Sequence, residues 1–533
     1  MKTLKEPVAG IQLDLKFLMY NKAFLNDLLS WLPAHGINTI LIEYEDKFPY
    51  RKYPFLRSKD AFTPAELKAF LDKARANNLR IIPLVQSLSH MEFALEHPEL
   101  LHLAEAPDIP TQICPSNSES VSFVIDLMQE VLEYHREDEF FHCGGDETWF
   151  LGTCGKCAAW KEEKGLVGMW AEHEKKILDF IVSQNKTPII WDDIFWKDFD
   201  SIAKVDIPKE TVLMCWNYNI TSLQGKGKDS EDLEFGGAAH ALKQVETYHK
   251  AGFKTIACPC CNWGQLFPRH RSSLANTQAW AQKVAASKML GLINSSWACF
   301  HVPLQTQLLY FSATADAVKD PSIKIDAAWM RNWFENEFGA AVADLDQSFE
   351  TIGSLWEIPM PGYGRSFSPL GYGMMNMVLH YPGRQPERRR RGAYPNDWNS
   401  IDFSAIYQKG ISEIKKGNLQ DVYARLDEIL KDYPEAVAVF KELSDKAQKN
   451  RDIAEMYHVL SDYKYLSAKV FSFILRGDYD KGALLLNLEA QKGLLSGQLA
   501  KCYEKEGAAR MLRAWWEPLY NAVHHSHKQA CHG

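Results

Sequence analysis

The sequence predicts a (β/α)8 TIM barrel followed by an α-helical C-terminal domain, and three observations carry that prediction. Eight short apolar runs rich in Ile, Leu, Val and Phe recur through the first 320 residues with little alternation, as expected of parallel strands buried on both faces. Stretches of helical periodicity separate them, and eight strands each followed by a crossover is the count of such a barrel. Beyond about residue 319 the strand signal stops and apolar residues return at helical spacing alone.

The predicted strands, in order, are residues 10–15 (GIQLDL), 38–44 (NTILIEY), 80–86 (RIIPLVQ), 139–144 (EFFHCG), 187–191 (TPIIW), 211–216 (TVLMCW), 253–258 (FKTIAC) and 291–297 (GLINSSW). A helix is predicted over 63–77, where Thr63 can cap and Glu66 can close the capping box. Another is predicted over 118–134, with Val121, Ile125, Met128 and Leu132 on one face. A doubly wound sheet would usually place a Gly-rich phosphate turn after its first strand, and Asp14-Leu-Lys-Phe-Leu18 is not one. Residues 327–350 and most of 402–526 read as amphipathic helices, with Phe403, Tyr407, Ile411 and Ile414 beginning one series. Residues 354–400 form a Gly/Pro/aromatic-rich connection, whose 388–391 run (RRRR) reads as a solvated charged surface. The division expected is a catalytic barrel at 1–320, a connecting segment with loops at 321–401, and a helical domain at 402–533. Such a tail is expected to be structural, packing on the barrel or pairing two protomers as a homodimer.

Composition narrows the function. With 46% hydrophobic and 24% charged residues, the 533-residue chain is an ordinary globular one, which excludes disordered, collagen-like and fibrous classes. A net charge of −8 disfavours a general nucleic-acid binder, which needs a basic excess. There is no signal-peptide core and no apolar run near 18 residues, so no membrane partner and a cytoplasmic location are expected. Eleven scattered Cys, an odd number, do not read as a disulfide framework. The 16 Trp suit a sugar-binding cleft, where flat apolar faces are useful, as well as a large core.

The active site of a barrel lies at the C-terminal ends of its strands. Strand two ends in Glu43-Tyr-Glu45-Asp46, strand three runs on to His90-Met-Glu92, and strand four ends in His142-Cys-Gly-Gly-Asp146-Glu147. Strands five, six and eight end at Trp191-Asp-Asp193, Trp216-Asn-Tyr218 and Trp297. Carboxylates, one His and a ring of Trp on a single rim are the residue set of a glycosidase. Adjacent acids in a strand would point to opposite sides. Gly144 and Gly145 let the chain leave β geometry, so that Asp146 and Glu147 can address one ligand. Their mutual repulsion separates their protonation, leaving one as an acid and the other as an anion.

The stretch from His142 to Glu147 resembles the His-x-Gly-Gly-Asp-Glu signature of glycoside hydrolase family 20, the β-N-acetylhexosaminidases. Leu13-Asp-Leu-Lys16, Leu41 to Tyr50, Ile82 to Gln86, His90 to Phe93 and Trp191-Asp-Asp193 are similar to the hexosaminidase D branch, and the likeness spans roughly residues 8–317. The resemblance implies an exo-acting, retaining enzyme for glycans with terminal β-GalNAc or β-GlcNAc, in which the sugar's own 2-acetamido oxygen attacks and an oxazolinium intermediate forms. It implies that Glu147 is the acid/base and that Asp146 holds the acetamido N–H and balances its charge. His90 and Asp46, the latter ahead of Glu45, match a relay supporting the acid. Trp191, Trp216 and Trp297 would wall the pocket, and Tyr218 would offer a hydroxyl to the acetamido oxygen. No cofactor and no catalytic metal are implied.

Three departures stand out. The family's Arg at the first strand has no counterpart in Val8-Ala9-Gly10. Its Tyr-x-Asp after strand seven is replaced by Cys258-Pro-Cys-Cys-Asn262-Trp263, and its Trp-x-Glu after strand eight by Trp297-Ala-Cys299. Asp14, Lys16, Asn262 or Trp263 could substitute for the lost sugar contacts. These losses keep open a non-catalytic carbohydrate-binding or scaffold protein on a degraded barrel, and a glycosidase for a sulfated or oligosaccharide substrate. Asp193 and Glu92 are the acids left for a protein nucleophile, and neither lies in such a motif. Cys154 and Cys157, with Cys258 and Cys260, would make a four-thiolate zinc site if the two halves met; free buried thiols are the expectation.

Overall fold

All eight apolar runs form strands of one closed parallel barrel in the computed structural model, which describes residues 6–16, 18–223, 238–356, 358–360, 365–367 and 402–526. The strands are β1 (Val8–Asp14), β2 (Thr39–Glu43), β3 (Arg80–Leu84), β4 (Phe140–His142), β5 (Thr187–Trp191), β6 (Val212–Trp216), β7 (Lys254–Cys258) and β8 (Gly291–Asn294). Closure comes from β1, which pairs with β2 from Gly10↔Thr39 to Asp14↔Glu43 and with β8 from Val8↔Gly291 to Ile11↔Asn294. The apolar runs have no polar face because both faces are covered. Leu41, Ile82, Leu84, Phe140, Ile189, Met214 and Ile256 fill the interior, while Ile40, Ile42, Ile81, Phe141 and Ile190 pack outward against helices.

The helices follow their sequence signals with two instructive differences. In α1 (Pro64–Ala76) the expected box is complete: the Glu66 N–H donates to the Thr63 hydroxyl at 3.3 Å, and the Thr63 N–H donates to Glu66 Oε2 at 3.0 Å. In α2 (Ser120–Tyr134) the buried face centres on Phe123, Val124, Leu127, Met128 and Val131, so the expected stripe through Val121 and Ile125 lies at its edge. The crossover from β5 to β6 uses two 3₁₀ turns, Asp193–Phe195 and Phe199–Lys204, in place of an α-helix. A 29-residue helix, α3 (Gly155–Ser183), follows β4 and is kinked at Gly165.

The C-terminal region is helical, with long antiparallel partners α4 (Leu419–Lys446) and α5 (Arg451–Arg476). Phe403, Tyr407, Ile411 and Ile414 are all buried, as their spacing requires. This region seals the barrel near the first strand. The Asn21 N–H donates to the Cys502 carbonyl at 2.8 Å, the Glu504 N–H to Met19 at 2.8 Å, and Tyr20 stacks on Tyr503. Tyr457 reaches from α5 to the Gln305 carbonyl at 3.0 Å. The 388–391 run and nearly all of the expected 354–400 connection lie outside the described residues. Among the described residues no helix is long and apolar enough to cross a membrane.

Candidate active site

The turn after β4 sets the centre of the site. Gly144 and Gly145 take φ of 70° and 86°, and Glu147 follows at φ 46°. A side chain at Gly144 would collide with Gln86, whose Cα would stand 3.1 Å from the new Cβ. Four contacts hold the turn. The Gly144 N–H donates to His142 Nδ1 at 3.0 Å, Trp170 Nε1 donates to the Gly145 carbonyl at 3.0 Å, and the Ser89 hydroxyl donates to the Asp146 carbonyl. The Glu147 N–H donates to Asp193 Oδ2 at 2.9 Å.

The two acids therefore emerge side by side and meet one imidazole. His90 Nε2 lies 3.4 Å from Asp146 Oδ2 and 3.5 Å from Glu147 Oε2. Asp146 is buried, whereas the Glu147 side chain is 30% exposed, so Glu147 is the acid that can reach an incoming group. The two carboxylates, Asp146 foremost, outweigh burial and hold His90 well above the ordinary imidazole range. Glu45, His90 and Glu147 all adopt left-handed backbone, at φ of 44°, 53° and 46°. Such positions cost of order 1–3 kcal/mol each and gather at functional sites.

Beneath the acids lies a buried ion cluster. Lys16 Nζ is 2.7 Å from Glu45 and 3.5 Å from Glu92. Asp14 Oδ1 accepts the Lys16 N–H at 2.8 Å and its Oδ2 accepts the Ala298 N–H at 2.9 Å, so this acid braces the end of β1 against the chain after β8. Burial lifts Asp14 to about 6 and, helped by the neighbouring Asp14 charge, Glu43 to about 7. Asp46, expected in a relay with His90, pairs with Lys47 Nζ at 3.1 Å, because the chain turns into a short 3₁₀ helix at Glu45.

Aromatic rings form one continuous wall. Trp191 stands 4.6 Å from His142 and 5.7 Å from Trp297, centre to centre. Trp297 Nε1 donates to the Tyr218 hydroxyl at 2.8 Å, and Tyr218 lies 5.1 Å from Trp216 and 6.0 Å from Trp263. Trp196, which sequence reasoning passed over, packs 4.3 Å from Trp216; its signal was a second Trp in the loop after β5. Asn262 accepts the Trp297 N–H at 3.0 Å and donates to the Trp297 carbonyl at 2.8 Å, so its amide positions the wall. Asp193 also acquires a role that sequence reasoning left unassigned. One oxygen holds the Glu147 backbone and the other lies 3.5 Å from Trp216 Nε1, joining the acid turn to the wall.

The cysteine halves paired in the sequence do not come together. Cys258 faces the barrel interior, and Cys154 and Cys157 gather instead with Cys114 and Glu105.

One buried acid near the turn makes a prediction about stability. Glu174 on α3 accepts the Ser87 hydroxyl at 2.7 Å beside Gly145, and burial pushes it up to about 8. The folded protein then keeps a proton that the unfolded chain releases, so this group costs stability increasingly as pH rises from about 4.5 to about 8. Glu174→Gln, neutral throughout, should melt above the parent at pH 8 and level with it near pH 4.5 in differential scanning fluorimetry. A constant offset across that window would contradict the assignment.

The sequence model of the glycosyl hydrolase family 20 catalytic domain matches residues 45–233. The chain is 30% identical over 364 residues to Hexosaminidase D of Bos taurus, covering 65% of this chain and 98% of that protein. It is 29% identical over 302 residues to Hexosaminidase D of Homo sapiens, covering 54% of this chain and 59% of that protein. A solved chitobiase from Flavobacterium johnsoniae is 14% identical, with a TM-score of 0.46, covering 96% of this chain and 78% of that one.

Proposed function

Since the chain belongs to glycosyl hydrolase family 20, as its match to the bovine Hexosaminidase D over nearly all of that protein establishes, we propose that it is an exo-acting β-N-acetylhexosaminidase for terminal β-GalNAc or β-GlcNAc. The observation that carries this reading is the pair Asp146 and Glu147, one buried and one reaching outward, joined at His90 and faced by the tryptophan wall. Glu147 protonates the leaving oxygen and then, as a base, activates water. Asp146 receives the acetamido N–H and balances the charge of the oxazolinium. Trp191, Trp216 and Trp297 enclose the acetamido methyl, and the Tyr218 hydroxyl turns toward the acetamido oxygen. His90, cationic between the two acids, fixes their spacing.

The proposed boundaries keep the catalytic barrel at 1–320, a connecting segment at 321–401 and the helical domain at 402–533. Trp263, half-buried beside Tyr218, is the residue we propose to take over one of the family's missing sugar contacts, whereas Lys16 is held by Glu45 and Glu92. Ten free cysteines among the described residues favour a reducing compartment such as the cytoplasm.

The test is direct. Nitrophenyl β-GalNAc and β-GlcNAc should both be offered to the full chain while proton NMR follows the anomeric signal. The β-anomer should be released first. If folded protein hydrolyses neither yet binds one of them in calorimetry, the carbohydrate-binding reading replaces the enzymatic one.

A further inference from the structure

Away from the acids, the loop before α2 and the start of α3 bring together four side chains that no step of glycoside hydrolysis uses. We infer that Glu105, Cys114, Cys154 and Cys157 form a closed structural site for a divalent cation of the zinc type.

The geometry is that of a coordination shell awaiting no further ligand. One oxygen or sulfur from each residue lies within 4.8 Å of all the others. Cys114 Sγ is 3.7 Å from Cys154 Sγ and 3.6 Å from Cys157 Sγ. Sulfurs bound at about 2.3 Å to one tetrahedral zinc stand about 3.8 Å apart, whereas a disulfide would bring two of them to about 2.0 Å. Two sulfurs at nearly equal, non-bonded distances from Cys114 Sγ, with all the ligand atoms within 4.8 Å of one another, fit a shared central ion and not a disulfide.

Glu105 supplies the second, independent observation. It is 3% exposed, and its Oε1 accepts the Thr153 and Cys154 N–H groups at 2.8 and 2.9 Å. Its Oε2 is buried with no hydrogen-bond partner. A buried carboxylate oxygen facing three sulfurs, with only weak S–H donors nearby, is well matched by a cation lying between them. The surroundings suit thiolates. Cys154 caps the N-terminus of α3, its sulfur accepts the Cys157 N–H at 3.4 Å, and the Ser116 hydroxyl lies 3.2 Å from Cys114 Sγ.

Four protein ligands leave no open position, which makes the site structural and not catalytic. Its effect is to clamp the chain seven residues beyond Glu147 to the loop carrying Gln112, whose side chain accepts the Phe150 N–H at 3.2 Å.

The full chain, expressed in zinc-supplemented medium and purified without chelator, should carry about one zinc per molecule by plasma mass spectrometry. After removal of the metal, cobalt(II) should give intense thiolate charge-transfer absorption with the visible bands of a tetrahedral ion. Zinc, and not magnesium, should restore the melting temperature lost to the chelator. Glu105→Gln keeps both backbone hydrogen bonds and should weaken cobalt binding about tenfold or more. Cys114→Ser should weaken cobalt binding and lower the charge-transfer intensity per bound ion by about a third, since two of three thiolates remain; if that variant does not fold, the parent's cobalt spectrum decides. Less than about a tenth of an equivalent of metal, before and after zinc reconstitution of protein whose thiols titrate as reduced, would overturn the site. So would cobalt binding without thiolate bands.

Discussion

Glu147→Gln should lower turnover of N-acetylhexosaminides with poor leaving groups by roughly 10²–10⁴-fold, the range of a general acid–base group. The amide keeps the shape and the contact with His90, so the loss reports the missing proton. A nitrophenolate departs almost without help, and on that substrate the first step should be affected least. Asp146→Asn should behave differently. The oxazolinium loses its counter-ion whatever the aglycone, so its loss should not depend on the leaving group. Steady-state rates over a series of aryl glycosides, with the slope against aglycone pKa compared between variants, would separate the two. Equal and leaving-group-independent losses would contradict the assignment.

The larger effect is expected from the substrate. If the acetamido oxygen is the nucleophile, matching 2-hydroxy glucosides and galactosides should turn over slower by roughly 10⁵-fold or more, since a tethered group in an attacking pose contributes about 7–11 kcal/mol. The described site offers no obvious replacement. Asp193 is engaged by the Glu147 backbone and Glu92 faces Lys16. Trp191→Phe should then reduce kcat more than it raises KM, because the wall sets the pose and not only the affinity. Brisk hydrolysis of plain glucosides, or a sugar trapped covalently on Asp193 or Glu92, would sink the substrate-assisted mechanism.

The barrel was legible because strands buried on both faces must be apolar throughout, and eight such runs leave few architectures. The acid turn was legible because Gly144 and Gly145 announce a departure from the strand just where Asp146 and Glu147 begin. What escaped depended on distance along the chain. Asp46 and Glu45 are neighbours in sequence, and only the left-handed backbone at Glu45 decides which one turns inward to Lys16. Cys154 and Cys157 carry a visible spacing, but their partner Cys114 lies 40 residues away from Cys154 and Glu105 sits in a loop with no local pattern. Asp193 could be counted as an acid; that it holds a backbone rather than a sugar follows from the fold alone.

The seal between the two ends of the chain bears on how the molecule is made. Asn21 donates its side-chain amide to the Ala500 carbonyl at 3.1 Å across 479 residues. At 5–20 residues per second a ribosome needs roughly 25–100 s to join those partners. For much of that interval the first strand stands outside the ribosome before its neighbour β8 is synthesised, and Met19 and Tyr20 lack Glu504 and Tyr503, the partners that meet them in the fold. The nascent barrel is thus an open sheet with two unpaired edges, the form most prone to pair with another copy. Slower elongation before residue 291 would lengthen the exposure of those edges.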